Sequence, residues 1–396
     1  MLALAETKTK KQQLGQFFTS NADYVLQGLE KYVFGKNVTD PFAGSGDLLD
    51  WAEKNGARRI SGFDVDISYT DNTKIFLSDS LLSPKKYDFI LTNPPYLNIN
   101  KAKRSVKEKY FAKTGLEDLY QISLRAIANS NEGIVIMPIN FLCAQNSEKA
   151  RHEFFAKFEI LEMNYFKHQV FPDTTYNVIA FYYRKKTDLF SPKFTIRTNI
   201  FPDKKKVNIE IRKNFGWLIG GELVSKIEAQ ENILKIHRLT EEDMKANFGD
   251  VKMECAFNHT KEKSDWNITK DYNKKIESNI ILLKAIDSGS EGGKIALEDI
   301  RNYNVKCLVS KATSRHMVFL VFGKPIPIKQ QISIIQLFNE QINALRSKYM
   351  SLFLTNYRDK DRKRIGFDFA YKFINFLYVN QISREDGRLK IGYILQ

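Results

Sequence analysis

Asn37-Val38-Thr39-Asp40-Pro41-Phe42-Ala43-Gly44-Ser45-Gly46-Asp47-Leu48-Leu49-Asp50-Trp51 passes from a short strand signal at 38–39, through a turn bearing proline and two glycines, into an amphipathic helix signal over 47–54. Glycine tolerates left-handed backbone and lets a ligand approach the main chain closely. In an open α/β sheet, ligands bind where strands end and such turns begin. A Gly-x-Gly turn alone marks no more than a tight turn, so its surroundings carry the argument. Apolar runs recur at 60–63, 75–77, 89–92 and 134–137, and helix-period stretches fall at 22–32, 118–129 and 147–157. Strands alternating with helices predict βαβ units and a mostly parallel sheet. The runs at 160–166 and 178–183 lie too close for a helical crossover, with Phe171-Pro172-Asp173 between them, and predict an antiparallel hairpin.

Three further groups stand at the ends of these runs. Asp64 ends the second run and Asp66 follows. A carboxylate there can accept hydrogen bonds from a ribose diol, and Asp64 is the better candidate because it ends the run directly. Asp79 follows the third run and could accept from the exocyclic amine of a purine. Asn93-Pro94-Pro95-Tyr96 follows the fourth. Two prolines make a stiff turn there. The Pro94 carbonyl, its direction fixed by Pro95, and the Asn93 side-chain carbonyl are two acceptors suited to the two hydrogens of one amine. Tyr96 offers a face on which a base can stack.

The chain has 396 residues, 43% hydrophobic and 27% charged, a composition that excludes a disordered chain and allows two to three domains. Its longest apolar stretch, 133–144, is too short to span a bilayer, and the first residues carry no apolar signal-peptide run. A cytoplasmic protein is expected. Cys143, Cys255 and Cys307 are widely spaced and read as neither a disulfide framework nor a metal cluster, and the Cys255/His259 pair reads as incidental. No metal is expected. Residues 1–190 carry 25 basic and 22 acidic side chains, a balance of +3, and residues 191–396 carry 36 and 24, or +12. A basic second half suggests a polyanion partner, nucleic acid first. Pro192 and Pro202 flank a Lys-rich joint, so the expected division is 1–190 and 191–396, the latter mixed α+β with long helices at 328–349 and 368–377.

These motifs in this order resemble an S-adenosylmethionine-dependent DNA adenine-N6 methyltransferase of the gamma class over roughly residues 11–185. The resemblance implies a Rossmann-like α/β catalytic domain followed by a target-recognition domain. It implies that Gln16, Phe17, Phe18 and Thr19 cap the methionine end of the cofactor. Asp40, Pro41, Phe42, Ala43, Gly44 and Gly46 would form the cofactor loop. Asp64 would hold the ribose, Asp79 and Ser80 the adenine, and Asn93 would touch both cofactor and target. Where the family often has an aromatic after the third-strand acid, this chain has Ser80. Asn93, Pro94, Pro95 and Tyr96 would be catalytic, and Phe171 would pack against a flipped adenine.

On that reading Asn93 and the Pro94 carbonyl draw the amine nitrogen toward tetrahedral geometry, so positioning and electrostatics do the work. Double-stranded DNA is then the partner, with Lys101, Lys103, Arg104, Lys311, Ser314, Arg315, Arg358, Arg362, Lys363 and Arg364 as candidate contacts; a solvated surface explains the same residues nearly as well. The chain would work as a monomer, with a cognate restriction endonuclease acting separately on the same site. The Asn-Pro-Pro-Tyr turn equally suits methyltransferases of RNA bases or protein glutamine, and a catalytically silent DNA-binding protein is a third reading. The long basic second half favours DNA over protein glutamine.

Overall fold

The computed structural model describes residues 19, 21–172, 174, 176–287, 294–358 and 362–382. Its first compact unit comprises residues 1–221 with 355–361. Strands β1 (Asn37–Asp40), β2 (Arg59–Asp64), β3 (Ile75–Leu77), β4 (Tyr87–Thr92) and β5 (Ser130–Pro138) are mutually parallel, in the spatial order β3-β2-β1-β4-β5. Strands β6 (Phe158–Phe166) and β7 (Val178–Lys185) form the expected antiparallel hairpin, with β7 inserted between β5 and β6. The fold is therefore the expected α/β class, a mostly parallel sheet with an antiparallel hairpin. Strand β4 buries Phe89, Ile90 and Leu91 as a continuous apolar run, as a strand covered on both faces must.

Two expectations need revision. The 22–32 stretch is not one helix: α1 (Ala22–Val25) stops, and a single 3₁₀ turn, Glu30–Tyr32, follows. Gly28 lies between them at φ +83°, a left-handed residue that helical backbone cannot accommodate. The Lys-rich joint is also part of the first unit. Strands β8 (Lys193–Phe201) and β9 (Lys205–Arg212) form a hairpin whose β8 pairs in parallel with β6, giving nine strands. One face of this hairpin is buried and the other carries lysines, which keep an edge strand from pairing with another chain. Its half-polar composition is what reads as a linker. The first unit thus extends past residue 190 to Gly221.

Helix α2 (Asp47–Lys54) occupies its expected bounds. Gly46 precedes it at φ +88°, Asp47 and Asp50 lie in its first turn, and Lys54 in its last, each favourable to the helix dipole. It buries Leu48, Leu49, Trp51 and Ala52. Helices α3 (Leu119–Ala126) and α4 (Glu148–Phe155) follow.

The second unit comprises 222–354 and 362–396. It has a four-stranded sheet of β10 (Ile236–Arg238), β17 (Met317–Phe322), β13 (Ile281–Lys284) and β15 (Ala296–Asp299) in that order. The long hairpin of β11 (Phe248–Phe257) and β12 (His259–Ile268) pairs with the two-residue β16 (Leu308–Val309), and the short β14 (Ile286–Asp287) pairs with residues 363–364. Helices α5 (Ile328–Tyr349) and α6 (Phe367–Leu377) lie where the periodicity places them.

Here the reading of the cysteines is corrected. Cys255 and Cys307 form a disulfide, their Cα atoms 5.2 Å apart. Ala256 is in register with Leu308, so the preceding cysteines face each other across the ladder. A separation of 52 residues hides this pairing in the sequence. Cys143 takes no part in the disulfide and is buried. Among the described residues no helix is long and apolar enough to cross a membrane, and no group of three or more His, Cys, Asp and Glu could hold a metal ion.

Candidate functional site

Parallel pairing brings the carboxyl ends of β1, β2, β3 and β4 to one edge of the sheet, so Asp40, Asp64, Asp79 and Asn93 converge although 53 residues separate the first from the last. The loop 41–46 folds tightly over β2. A Cβ at Gly62 would sit 2.7 Å from the Ala43 Cβ and 2.8 Å from Leu49, so the close approach requires glycine there.

Asp40 is buried and ties two motifs together. Its Oδ1 accepts from the Phe42 amide at 3.0 Å and from the Thr92 hydroxyl. Thr92 immediately precedes Asn93, so one carboxyl fixes both the glycine loop and the proline turn. Burial pushes the Asp40 carboxyl up to about 7, against the stabilising pull of those hydrogen bonds. Asp64 Oδ2 accepts from the Gly44 amide at 2.8 Å, and Oδ1 from the Asp66 amide at 2.7 Å. Burial raises its pKa too. Asp66, the alternative candidate, instead caps a 3₁₀ turn by accepting from Ser68.

Asn93 is oriented from both ends. Its Nδ2 donates to Thr19 Oγ1 at 3.1 Å, and its Oδ1 accepts from the Tyr96 hydroxyl. That hydroxyl also lies 3.0 Å from the Ile136 carbonyl of β5, and the ring meets Tyr120 edge-on at 6.3 Å. Burial of the Tyr96 hydroxyl raises its pKa well above the usual phenol value. Tyr96 therefore orients Asn93, a role its motif position alone did not disclose, while its ring remains partly exposed.

Two adjoining clefts open here. One, of about 410 Å³, is lined by Thr19, Asp40, Phe42, Ala43, Gly44, Asn93 and Pro95, among others. The second, of about 430 Å³, is lined by Pro41, Phe42, Asp64, Asp79, Ser80, Pro95, Tyr110 and Leu119, among others. They share Phe42 and Pro95. Gly46 stands at the helix start beside them, and Pro94 is buried in the turn. Gln16, Phe17 and Phe18 lie outside the described residues.

Phe171 does not join this group. It is 2% exposed, within the hydrophobic cluster that contains Val25, Phe166 and Val178. An aromatic ring following Val170 gains more from core burial than from a polar cleft, so the expected role as a base wall is withdrawn. Gln169 pins its loop by donating to the Phe171 carbonyl at 2.9 Å and the Thr174 carbonyl at 3.0 Å. Residues missed in the sequence are Thr92, Leu119, Lys109 and Tyr110. The last two sit in the Lys-rich stretch 101–113, whose sequence suits phosphate contacts, a mobile loop or a solvated helix face alike.

The basic candidates are scattered. Lys101, Lys103 and Arg104 are exposed, with Arg104 paired to Glu108 at 2.7 Å. In the second unit, Lys311 and Arg315 are exposed on the loop after β16, with Ser314 half-buried between them. Arg315 donates to the Ala312 and Ser314 carbonyls, at 2.7 and 2.8 Å. Arg358 lies in a short strand. Arg362 and Arg364 are half-buried, and Lys363 is 0% exposed. Alternation along residues 362–364 turns Lys363 inward, so it is removed from the surface contacts.

Residues 14–171 match the sequence model of the Eco57I restriction-modification methylase family. No curated protein matches the chain. Among solved structures, the chain is similar to a modification subunit assigned to a type I restriction enzyme from Vibrio vulnificus YJ016, at 15% identity and TM-score 0.38 over 58% of this chain and 55% of that one. It is similar to the type I restriction-modification methyltransferase subunit from Streptococcus thermophilus, at 16% identity and TM-score 0.34 over 49% and 51%. It is also similar to the type IIG restriction endonuclease BpuSI, at 10% identity and TM-score 0.41 over 96% and 60%. In each case the chain spans less than two thirds of the other protein's length.

Proposed function

We propose that the chain is an S-adenosylmethionine-dependent DNA methyltransferase that modifies the N6 amine of adenine within a short duplex sequence, its first unit catalytic and its second unit recognising the target. The observation that carries this reading is the held Asn93 side chain, fixed by Thr19 and Tyr96 beside a rigid diproline turn in the wall of the first cleft.

The clefts suit the cofactor in their donors and acceptors. A carboxylate offers about four acceptor sites, and the Gly44 and Asp66 amides use two on Asp64. Capacity remains for the hydroxyls of a ribose. Asp79 and Ser80 line the end suited to a purine, while Asp40, Thr19 and residues 42–45 of the glycine turn line the end suited to an amino acid. S-adenosylmethionine supplies an electrophilic methyl group on its sulfonium sulfur. Asn93 Oδ1 and the Pro94 carbonyl hold the two hydrogens of the target amine, which turns its lone pair toward that methyl. The Tyr96 hydroxyl keeps the Asn93 carbonyl aimed, so the geometry needs no rearrangement during reaction. The target amine is paired inside a duplex, so the base must be flipped out, at a cost of a few kcal/mol. A separate endonuclease of the same specificity fits this activity, with this chain acting as a monomer in the cytoplasm.

The test is transfer of labelled methyl from S-adenosylmethionine to unmethylated genomic DNA, followed by nucleoside analysis and site-resolved sequencing. N6-methyladenine in one short sequence is expected. Label in RNA or protein glutamine with none in DNA would overturn the substrate.

A further inference from the structure

Asp79 is not an open acceptor. The Tyr110 hydroxyl donates to its Oδ2 at 2.9 Å, and the Lys109 ammonium pairs with the same oxygen at 2.9 Å. Its Oδ1 accepts from the Leu81 amide at 3.2 Å. The Lys109 ammonium also stands 4.8 Å from the centre of the Tyr110 ring. Tyr110 lines the same cleft as Asp79, Ser80 and Pro95, with 9% of its surface exposed. Both residues belong to a single π turn, Lys107–Phe111, which follows the three-residue helix Arg104–Val106. A π turn inside a helical segment is costly and collects at functional sites.

Two consequences follow from this geometry. An aromatic ring reaches the cleft from 30 residues further along the chain than Ser80, whose side chain cannot stack a purine. Any amine donating to Asp79 Oδ2 must compete with two donors already on that oxygen. We infer that Tyr110 is the aromatic member of the purine subsite, and that Tyr110 and Lys109 form a latch on Asp79 which the purine amine exchanges on binding. This rests on the S-adenosylmethionine reading of the clefts. The Lys109 ammonium is held above its ordinary pKa by Tyr110 and then Asp79, so it stays charged throughout the neutral range. Segment 104–111 is thereby coupled to cofactor binding, because freeing Asp79 frees the π turn.

The experiment is calorimetric titration of the full chain with S-adenosylhomocysteine, for wild type, Tyr110→Leu, Tyr110→Phe and Lys109→Met. Base–aromatic stacking supports an expected loss of tenfold or more in affinity for Tyr110→Leu. Tyr110→Phe keeps the ring and removes one of the latch's two donors, leaving Lys109 in place, so its affinity should equal or exceed wild type by up to about fivefold. Lys109→Met should do the same and should flatten the dependence of affinity on salt, a readout that a merely structural lysine would not move. Equal losses in Tyr110→Leu and Tyr110→Phe would overturn the latch. Wild-type affinity in Tyr110→Leu would overturn the subsite while leaving the methyltransferase reading intact. Absence of binding by wild type itself would overturn both. Tyr110→Phe preserves packing, so the test survives a folding failure of the leucine variant.

Discussion

The strand ends 40–46 and 92–96 and the basic loops of the second unit differ in how they hold their functional candidates. In the first region nearly every polar group is spoken for. Asp40 joins two loops, Asp64 closes the glycine turn, and Thr19 with Tyr96 orients Asn93. In the second, Arg315 is tethered only to the carbonyls of its own loop. A catalytic amide must be aimed before substrate arrives, whereas a phosphate contact tolerates rotation. The first kind of site imposes residue types at fixed positions; the second leaves only a surplus of charge.

The strongest way to break this contrast is at Asn93. Asn93→Ala should lower methyl transfer by about 10²- to 10³-fold, the range found when one preorganised polar contact is removed. S-adenosylmethionine binding, measured by calorimetry, should change by no more than a few fold. A variant retaining a tenth of the activity would show that Asn93 is not the aimed group.

Asp40 sharpens it through pH. Its folded pKa, about 7, lies above the ordinary 3.8, so the folded chain keeps a proton that the unfolded chain releases. The stability this contributes is full below about pH 4 and is lost as pH rises through 7, a change of up to about 4 kcal/mol. Asp40→Asn retains an acceptor for Phe42 and Thr92 but cannot titrate. Its unfolding free energy, from urea titrations between pH 4.5 and 7, should fall less with pH than that of wild type. Parallel curves would place the proton elsewhere.

Much of the first region was legible because backbone demands show in residue types. Glycines at positive φ, two consecutive prolines and acids ending apolar runs mark strand ends, and α2 and α5 kept their expected bounds. Contacts over long separations were not legible. Tyr110 reaches Asp79 across 31 residues, and Cys307 reaches Cys255 across 52. Nor does composition reveal which way a side chain points: Phe171 and Lys363 turned inward where motif and charge suggested the opposite.

The disulfide tests how far the second unit depends on such a contact. Closing a loop of 52 residues stabilises by about 4 kcal/mol in the chain-entropy view. Reduction, or Cys255→Ser with Cys307→Ser, should lower the unfolding free energy by about that amount. Thiol titration of the denatured, unreduced chain should find one group, Cys143, and three after reduction. Three at the outset would remove the cross-link from the account.

The smallest effect lies on the basic loop, and it separates exposed charge from buried charge of the same sign. Arg315→Ala should weaken DNA binding a few fold at 0.1 M salt. If its guanidinium meets one phosphate, the slope of log affinity against log salt should lessen by about 1, because one fewer counterion is released. Lys363→Met removes the same formal charge from a position with no surface. It should leave that slope unchanged and act on stability instead, since a buried charged side chain is replaced. Binding isotherms at several salt concentrations, read beside unfolding curves, distinguish the two. Equal salt slopes for the two variants would mean that net charge of the second unit, and not the placement of Arg315, governs its attraction to DNA.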